Sequence, residues 1–331
     1  MPTPLLRIEN LHTEFRTLFG VVKAVRGISF DVMPGETIGI VGESGCGKSV
    51  TGLSILNLIP NPPGLITDGA VWWGQENLLA ASKRRWIDIR GNKIAMIFQD
   101  PMSSLNPVLT IRTQLGEILQ VHTGQSSSQI EAECIDLLNK VRIRNPKEVL
   151  RQYPHQLSGG MRQRIMIAIA IACKPDLIIA DEPTTSLDVT VQAQMIDLLR
   201  EIQAQMNTAI LLITHNLAVV AGMCERVLVF YAGKIVEDAY INDLYTQPFH
   251  PYTQGLLKAV PRLNSSDQEP LATIPGSPPD LIAPPSGCAF HPRCPLAMQI
   301  CAKEEPGLLS IKGRKVACWF YDPRRAGNSI K

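Results

Sequence analysis

Gly42-Glu43-Ser44-Gly45-Cys46-Gly47-Lys48-Ser49 follows the apolar run Thr37 to Val41 and leads into a helical stretch from about Lys48 to Leu58. The spacing is G-x-x-x-x-G-K-[ST]. Glycines at these places let backbone N–H groups turn inward around phosphates, with the positive end of the next helix behind them. Lys48 then reaches the β- and γ-phosphates, and Ser49 offers a hydroxyl to Mg²⁺. A chance glycine turn would lack a buried strand before it and a helix after it; this stretch has both. Gly42, Ser44, Gly45, Cys46, Gly47, Lys48, Ser49 and Val50 are the candidate ATP-binding positions. Cys46 enters as a spacer, a small apolar residue inside the cradle.

The run Leu177-Ile178-Ile179-Ala180 ends in two carboxylates, Asp181 and Glu182. A strand-end aspartate holds the Mg²⁺ shell in P-loop nucleotide hydrolases. A carboxylate one residue later is placed to orient and polarise an attacking water. Acids cap strand ends often, so the pair gains its meaning from the cradle upstream.

Working outward, Val22 to Val32 alternates as a strand, and Lys93 to Phe98 and Ala209 to Thr214 read as buried strands. A last strand pair is expected near Val227 to Val236. Thr110 to Val141 reads as helical, broken at Gly124 to Gln129, and helices are expected over Ser158 to Cys173 and Val191 to Gln205. Strands alternating with helices argue for an α/β sheet with both faces covered.

Between cradle and carboxylates lies Leu157-Ser158-Gly159-Gly160-Met161-Arg162-Gln163-Arg164. Ser158, Gly159 and Gly160 open a helix, so free N–H groups and a hydroxyl face outward with the helix dipole behind them. That is a second anion site on a chain whose cradle already serves one nucleotide, which suits a head-to-tail dimer. An ordinary Ser N-cap is the rival reading. The segment resembles the signature motif of ABC ATPases, with Met161 in place of the usual Gln.

Other residues carry the same resemblance. Gln99 resembles the Q-loop glutamine, Ser186-Leu187-Asp188 the D-loop that passes between subunits, and His215 the switch histidine at the γ-phosphate. Phe19 lies where the family places an aromatic on adenine, with Phe15 as competitor. The resemblance implies catalytic roles for Glu182, His215 and Gln99. It also implies that Ser158, Gly159, Gly160 and Met161 close on a neighbour's ATP. The implied fold is a P-loop NTPase: a RecA-like α/β core with an antiparallel β subdomain and a helical subdomain near residues 101–170, all within an ATPase domain of residues 1–260.

The remaining residues, 261–331, form a proline-rich region; 13 of the chain's 25 prolines lie after Gln247. His250-Pro251-Tyr252-Thr253-Gln254-Gly255-Leu256-Leu257 reads as a short Pro-started helix, and resembles a segment of ATPases that import dipeptides, oligopeptides or nickel. Cys288, Cys294, Cys301 and Cys318 crowd into the tail without the close pairs of a zinc ribbon. Four thiolates suit an iron–sulfur cluster or Zn²⁺; the resemblance implies a four-iron, four-sulfur cluster. His291 reads as a turn residue.

Composition bounds these readings. The chain has 331 residues and a net charge of +2, so nothing pushes it toward nucleic acid. Its apolar runs fall short of a membrane span and its start lacks a secretory pattern, so a place at the cytoplasmic face of the membrane is expected through partners. By resemblance those partners are a paralogous ATPase subunit (an identical chain being the alternative), two membrane permeases and an extracytoplasmic peptide-binding protein. The rival functions are nickel import, an ABC-type ATPase of DNA repair or translation, and an iron–sulfur sensor on a degenerate core. A repair or translation ATPase would carry a long coiled-coil insertion or two tandem halves, and a degenerate core would lack catalytic positions that are filled here.

Overall fold

The structure is a computed structural model describing residues 3–184, 188–259 and 273–323. In chain order the first strands are β1 (Leu6–Thr17), β2 (Gly20–Val32), β3 (Thr37–Val41), β4 (Gly64–Trp73), β5 (Glu76–Asn77) and β6 (Ile94–Ile97). They continue with β7 (Leu177–Asp181), β8 (Ala209–Ile213), β9 (Arg226–Tyr231), β10 (Lys234–Tyr240), β11 (Leu309–Ile311) and β12 (Arg314–Val316). The chain divides into two compact units. One comprises Met1–Leu5, Val32–Thr37 and Asn77–Ile213; the other comprises Leu6–Asp31, Ile38–Glu76 and Thr214–Lys331.

In the first unit β6, β7 and β8 are parallel, in register from Ile94 with Leu177 and from Asp181 with Ile213. Every residue of β7 and β8 is buried, as expected of parallel strands covered on both faces. Between β6 and β7 the chain is helical in pieces, the longest being Ile111–Thr123, Ser127–Lys140 and Gly159–Ile171. The break predicted near Gly124 is real and has two causes. Gly124 takes a left-handed φ of 64° that ends one helix. Ser126 and Gln129 then form a reciprocal capping box that starts the next. Leu115, Leu119, Leu137 and Leu138 bury the inner stripes of this pair.

In the second unit β1 and β4 run antiparallel from Leu6 opposite Trp73 to Phe15 opposite Gly64. A register shift between Glu9 and Thr13 interrupts the ladder, so the buried positions run Leu6, Ile8, Leu11, Thr13 and not at a strict period of two. β3 lies parallel to β9, and β10 returns antiparallel to β9 through a turn at Ala232 and Gly233. The proline-rich tail adds two strands. β12 pairs antiparallel with β10, and β11 with β12. The helix Pro251–Lys258 starts as its sequence suggested, with Pro251 at its first position and His250 capping the Tyr252 N–H through Nδ1 at 3.1 Å. Burial pushes His250 down to about 3, so the ring is neutral and free to accept that bond.

Candidate active site

The cradle joins β3 to the helix Lys48–Ile55 and lies wholly in the second unit. Two of its glycines are required by contact as well as by conformation. A Cβ on Gly42 would fall 2.3 Å from the Phe230 carbonyl oxygen, and one on Gly47 would fall 2.2 Å from that of Ala24. Gly47 has a φ of 101° and caps the helix with no side-chain bond, a backbone shape that favours glycine. A Cβ on Gly45 would meet nothing within 4 Å, which leaves this side of the loop open to phosphate oxygens. Lys48 is buried, and its Nζ donates to the carbonyls of Gly42 and Glu43, each at 2.9 Å. Burial raises the Cys46 thiol above its ordinary value, which keeps it a neutral spacer.

Glu43 is held from two sides within the same unit. Its backbone N–H donates to the Tyr252 hydroxyl at 2.8 Å. Its carboxylate receives both Arg293 terminal nitrogens, at 2.7 and 2.9 Å. Neither partner was found by sequence reasoning. The one available signal was an acid inside an anion cradle, a like charge that calls for a cation nearby.

In the first unit, β7 carries Asp181 to a buried position, and Glu182 follows with a φ of 44°. A left-handed backbone on a glutamate costs energy, and strain of this kind concentrates at working residues. The Glu182 N–H is anchored to the Ile213 carbonyl at 2.8 Å. The Gln99 side-chain amide donates to a Glu182 carboxylate oxygen at 3.0 Å. Two predicted catalytic residues 83 positions apart are thus brought together.

Ser158 caps the helix Gly159–Ile171, its Oγ accepting the Met161 N–H at 3.3 Å. Ser158 and Gly159 are exposed, and a Cβ on Gly159 would meet nothing within 4 Å. The helix start faces outward. Asp188 caps the helix Val189–Met206 through the Val191 N–H at 2.9 Å; Ser186 and Leu187 lie outside the described residues. His215 is exposed, two residues beyond the end of β8. Phe19 stands 88% exposed at the turn between β1 and β2, whereas Phe15 is half-buried with its ring over Gly64.

The tail cysteines gather in the second unit. The Cys288 N–H donates to the Cys301 carbonyl at 2.7 Å, and His291 serves the turn between Cys288 and Cys294 through its own N–H and Nδ1. Burial pushes the Cys288 thiol to about 11 and the Cys318 thiol to about 12, with the neighbouring sulfurs adding to both shifts. The sulfurs sense one another. Among the described residues, however, no group of three or more His, Cys, Asp or Glu side chains is arranged to hold a metal ion. The donor chemistry suits a cluster and the arrangement does not, so no step is routed through a tail metal.

A glycine cradle between a buried strand and a helix, with paired carboxylates at the end of another buried strand, defines a P-loop nucleoside triphosphatase. Solved structures support the fold. The ATP-binding cassette MJ0796, solved as a dimer in a post-hydrolysis state with ADP and Pi, superposes with a TM-score of 0.64 at 24% identity. It covers 71% of this chain and 98% of its own. Residues 25–185 match the ABC transporter family, and residues 236–301 match the C-terminal region of oligopeptide/dipeptide transporters. The dipeptide transport ATP-binding protein DppD of Bacillus subtilis is 50% identical over 97% of this chain and 96% of its own. The oligopeptide transport ATP-binding protein OppD of Salmonella typhimurium is 48% identical over 95% and 93%. The chain therefore belongs to the ATP-binding subunits of ABC transporters, in the oligopeptide and dipeptide transporter family. It is an ATPase whose hydrolysis is coupled to transport. No helix among the described residues is long and apolar enough to cross a membrane.

Proposed function

We propose that this chain powers the import of dipeptides or oligopeptides from the inner face of the membrane, and that it does so by closing on a second ATPase subunit around ATP. The single observation that carries the mechanism is the outward-facing helix start at Ser158 and Gly159. An exposed anion site additional to the cradle is what a neighbour's triphosphate needs.

In this reading Lys48 exchanges the Gly42 and Glu43 carbonyls for phosphate oxygens when ATP enters. Ser49 would offer a hydroxyl and Asp181 a carboxylate to Mg²⁺, which would supply positive charge for the γ-phosphoryl group. Glu182 takes the proton of the attacking water. Gln99, bonded to Glu182, fixes the direction in which that carboxylate points. His215 and the partner's signature helix complete the shell around the γ-phosphate, and catalysis is chiefly positioning and electrostatics. Closure of the pair pushes on two permease subunits, and hydrolysis lets it reopen. A paralogous subunit is the partner favoured here. The reading of Cys288, Cys294, Cys301 and Cys318 as ligands of a four-iron, four-sulfur cluster, or of zinc, keeps their sulfur donor set as its support. Metal analysis of protein purified without air tests it.

Phe19 is proposed to stack on adenine. Phe19→Ala should raise the KM for ATP about tenfold, the scale of one base–aromatic stack. Phe15→Ala should instead lower Tm while leaving KM near its starting value, since its ring packs against the strand. Exchange of these two outcomes would reassign the role to Phe15.

The transport reading is tested in proteoliposomes holding the ATPase pair, the permeases and the binding protein. ATP-dependent uptake of a labelled dipeptide or short oligopeptide is expected. Uptake of nickel, with none of peptide, would overturn the assignment.

A further inference from the structure

The match to the transporter family's C-terminal region leaves open what this tail does for the ATPase. The tail meets the cradle directly, within one compact unit. Arg293 sits in the turn between Cys288 and Cys294. Its guanidinium forks onto both oxygens of Glu43, at 2.7 and 2.9 Å, with Nη1 also 3.3 Å from the Tyr231 hydroxyl. Its Nε donates to the Pro275 carbonyl at 2.9 Å, which ties the extended segment of the tail to the same point. Pro278, Pro279 and Leu281 from that segment wall a cavity together with Glu43 to Cys46.

Two features make this more than a surface contact. The side chains of Arg293 and Glu43 are only 6% and 23% exposed, so the pair is sheltered and poorly screened. A bidentate guanidinium–carboxylate pair also fixes geometry, not charge alone. The platform beneath Arg293 is aromatic. Tyr231, Tyr252 and Phe290 pack ring on ring, with centroids 4.6 to 5.4 Å apart, and Tyr252 takes the Glu43 N–H.

Glu43 is an acid in a loop that must receive a triphosphate. Left bare, its carboxylate would repel phosphate oxygens and compete for Lys48. We propose that Arg293 is a positioning residue for ATP hydrolysis, through which the C-terminal region neutralises Glu43 and holds the phosphate cradle in its nucleotide-receiving shape. The tail thereby sets the affinity of the cradle. The claim concerns ATP and is independent of which solute the transporter carries.

The test uses the full chain in its reconstituted transporter, with Mg-ATP as the probe. Arg293→Gln should raise the KM for ATP about tenfold with kcat changed less than about twofold, a split equal to about 1.4 kcal/mol of binding. Arg293→Lys, which keeps the charge and loses the fork, should fall between Arg293→Gln and the parent, and it carries the test if Arg293→Gln does not fold. Arg293→Gln combined with Glu43→Gln should return KM to within about threefold of Glu43→Gln alone, because removing the carboxylate removes the need for its cation. A purely structural Arg293 would not be rescued in this way. An unchanged KM in both Arg293 variants, or losses that simply add in the double variant, would overturn the proposal.

Discussion

Glu182→Gln should bind Mg-ATP as tightly as the parent chain and turn it over about 10²–10⁴-fold more slowly, the range that a positioned general base contributes. Glutamine has nearly the shape of glutamate and still offers an oxygen to the Gln99 amide, now 3.0 Å from the carboxylate. It tolerates the left-handed backbone at this position no worse than glutamate does. The substitution therefore removes basicity and little else. A pair that closes on ATP and cannot hydrolyse it should accumulate. Size-exclusion chromatography should find an ATP-dependent dimer in the variant that is short-lived in the parent. Turnover within about tenfold of the parent would remove Glu182 from the role of base.

The second large effect is at the signature helix. Gly159→Asp should leave folding intact and cut turnover steeply. The added Cβ meets nothing within 4 Å, and an aspartate in the first turn favours a helix by about 0.3–1 kcal/mol. ATP binding to the chain's own cradle should change by less than about threefold, because that pocket gains no new charge under this account. Hydrolysis should fall by about 10²–10³-fold, the usual cost of losing one donor to a transition-state anion, with carboxylate–phosphate repulsion added. Unchanged or raised thermal stability beside collapsed activity separates this from misfolding. Full activity in Gly159→Asp would mean that the helix start never meets a phosphate.

What was legible in the sequence was what local chemistry fixes. β3, β7 and β8 are short apolar runs, and each leads directly into glycines, acids or a histidine that the chemistry singles out. A strand covered on both faces advertises itself by composition, and a glycine cradle by spacing. The capping box at Ser126 and Gln129 likewise needs only neighbours.

β1 was not legible. Its buried positions are interleaved with Arg7, Glu9, Asn10 and His12, and a shift in register breaks the alternation. Its partner β4 lies about 50 residues away, so no local window could pair them. The same distance argument applies more strongly to Arg293 and Glu43, which are 250 residues apart. Tyr252 lies in the segment read from sequence as a short Pro-started helix, and its ring packs on Tyr231 and Phe290. Its hydroxyl on the Glu43 N–H depends on where Pro251–Lys258 docks, which only the tertiary structure fixes. The contact between Gln99 and Glu182 joins two residues chosen separately, and long-range folding alone makes them neighbours.

The central claim is that one triphosphate is gripped by the cradle of one subunit and by the serine-headed helix of the other. A structure of the Glu182→Gln assembly with Mg-ATP reads this directly. The account predicts the Ser158 hydroxyl and the Gly159 and Gly160 N–H groups within about 3 Å of γ-phosphate oxygens held in the partner subunit's cradle. A closed assembly in which every γ-phosphate is enclosed by a single chain, with Ser158 turned to solvent or to the permease, would contradict it.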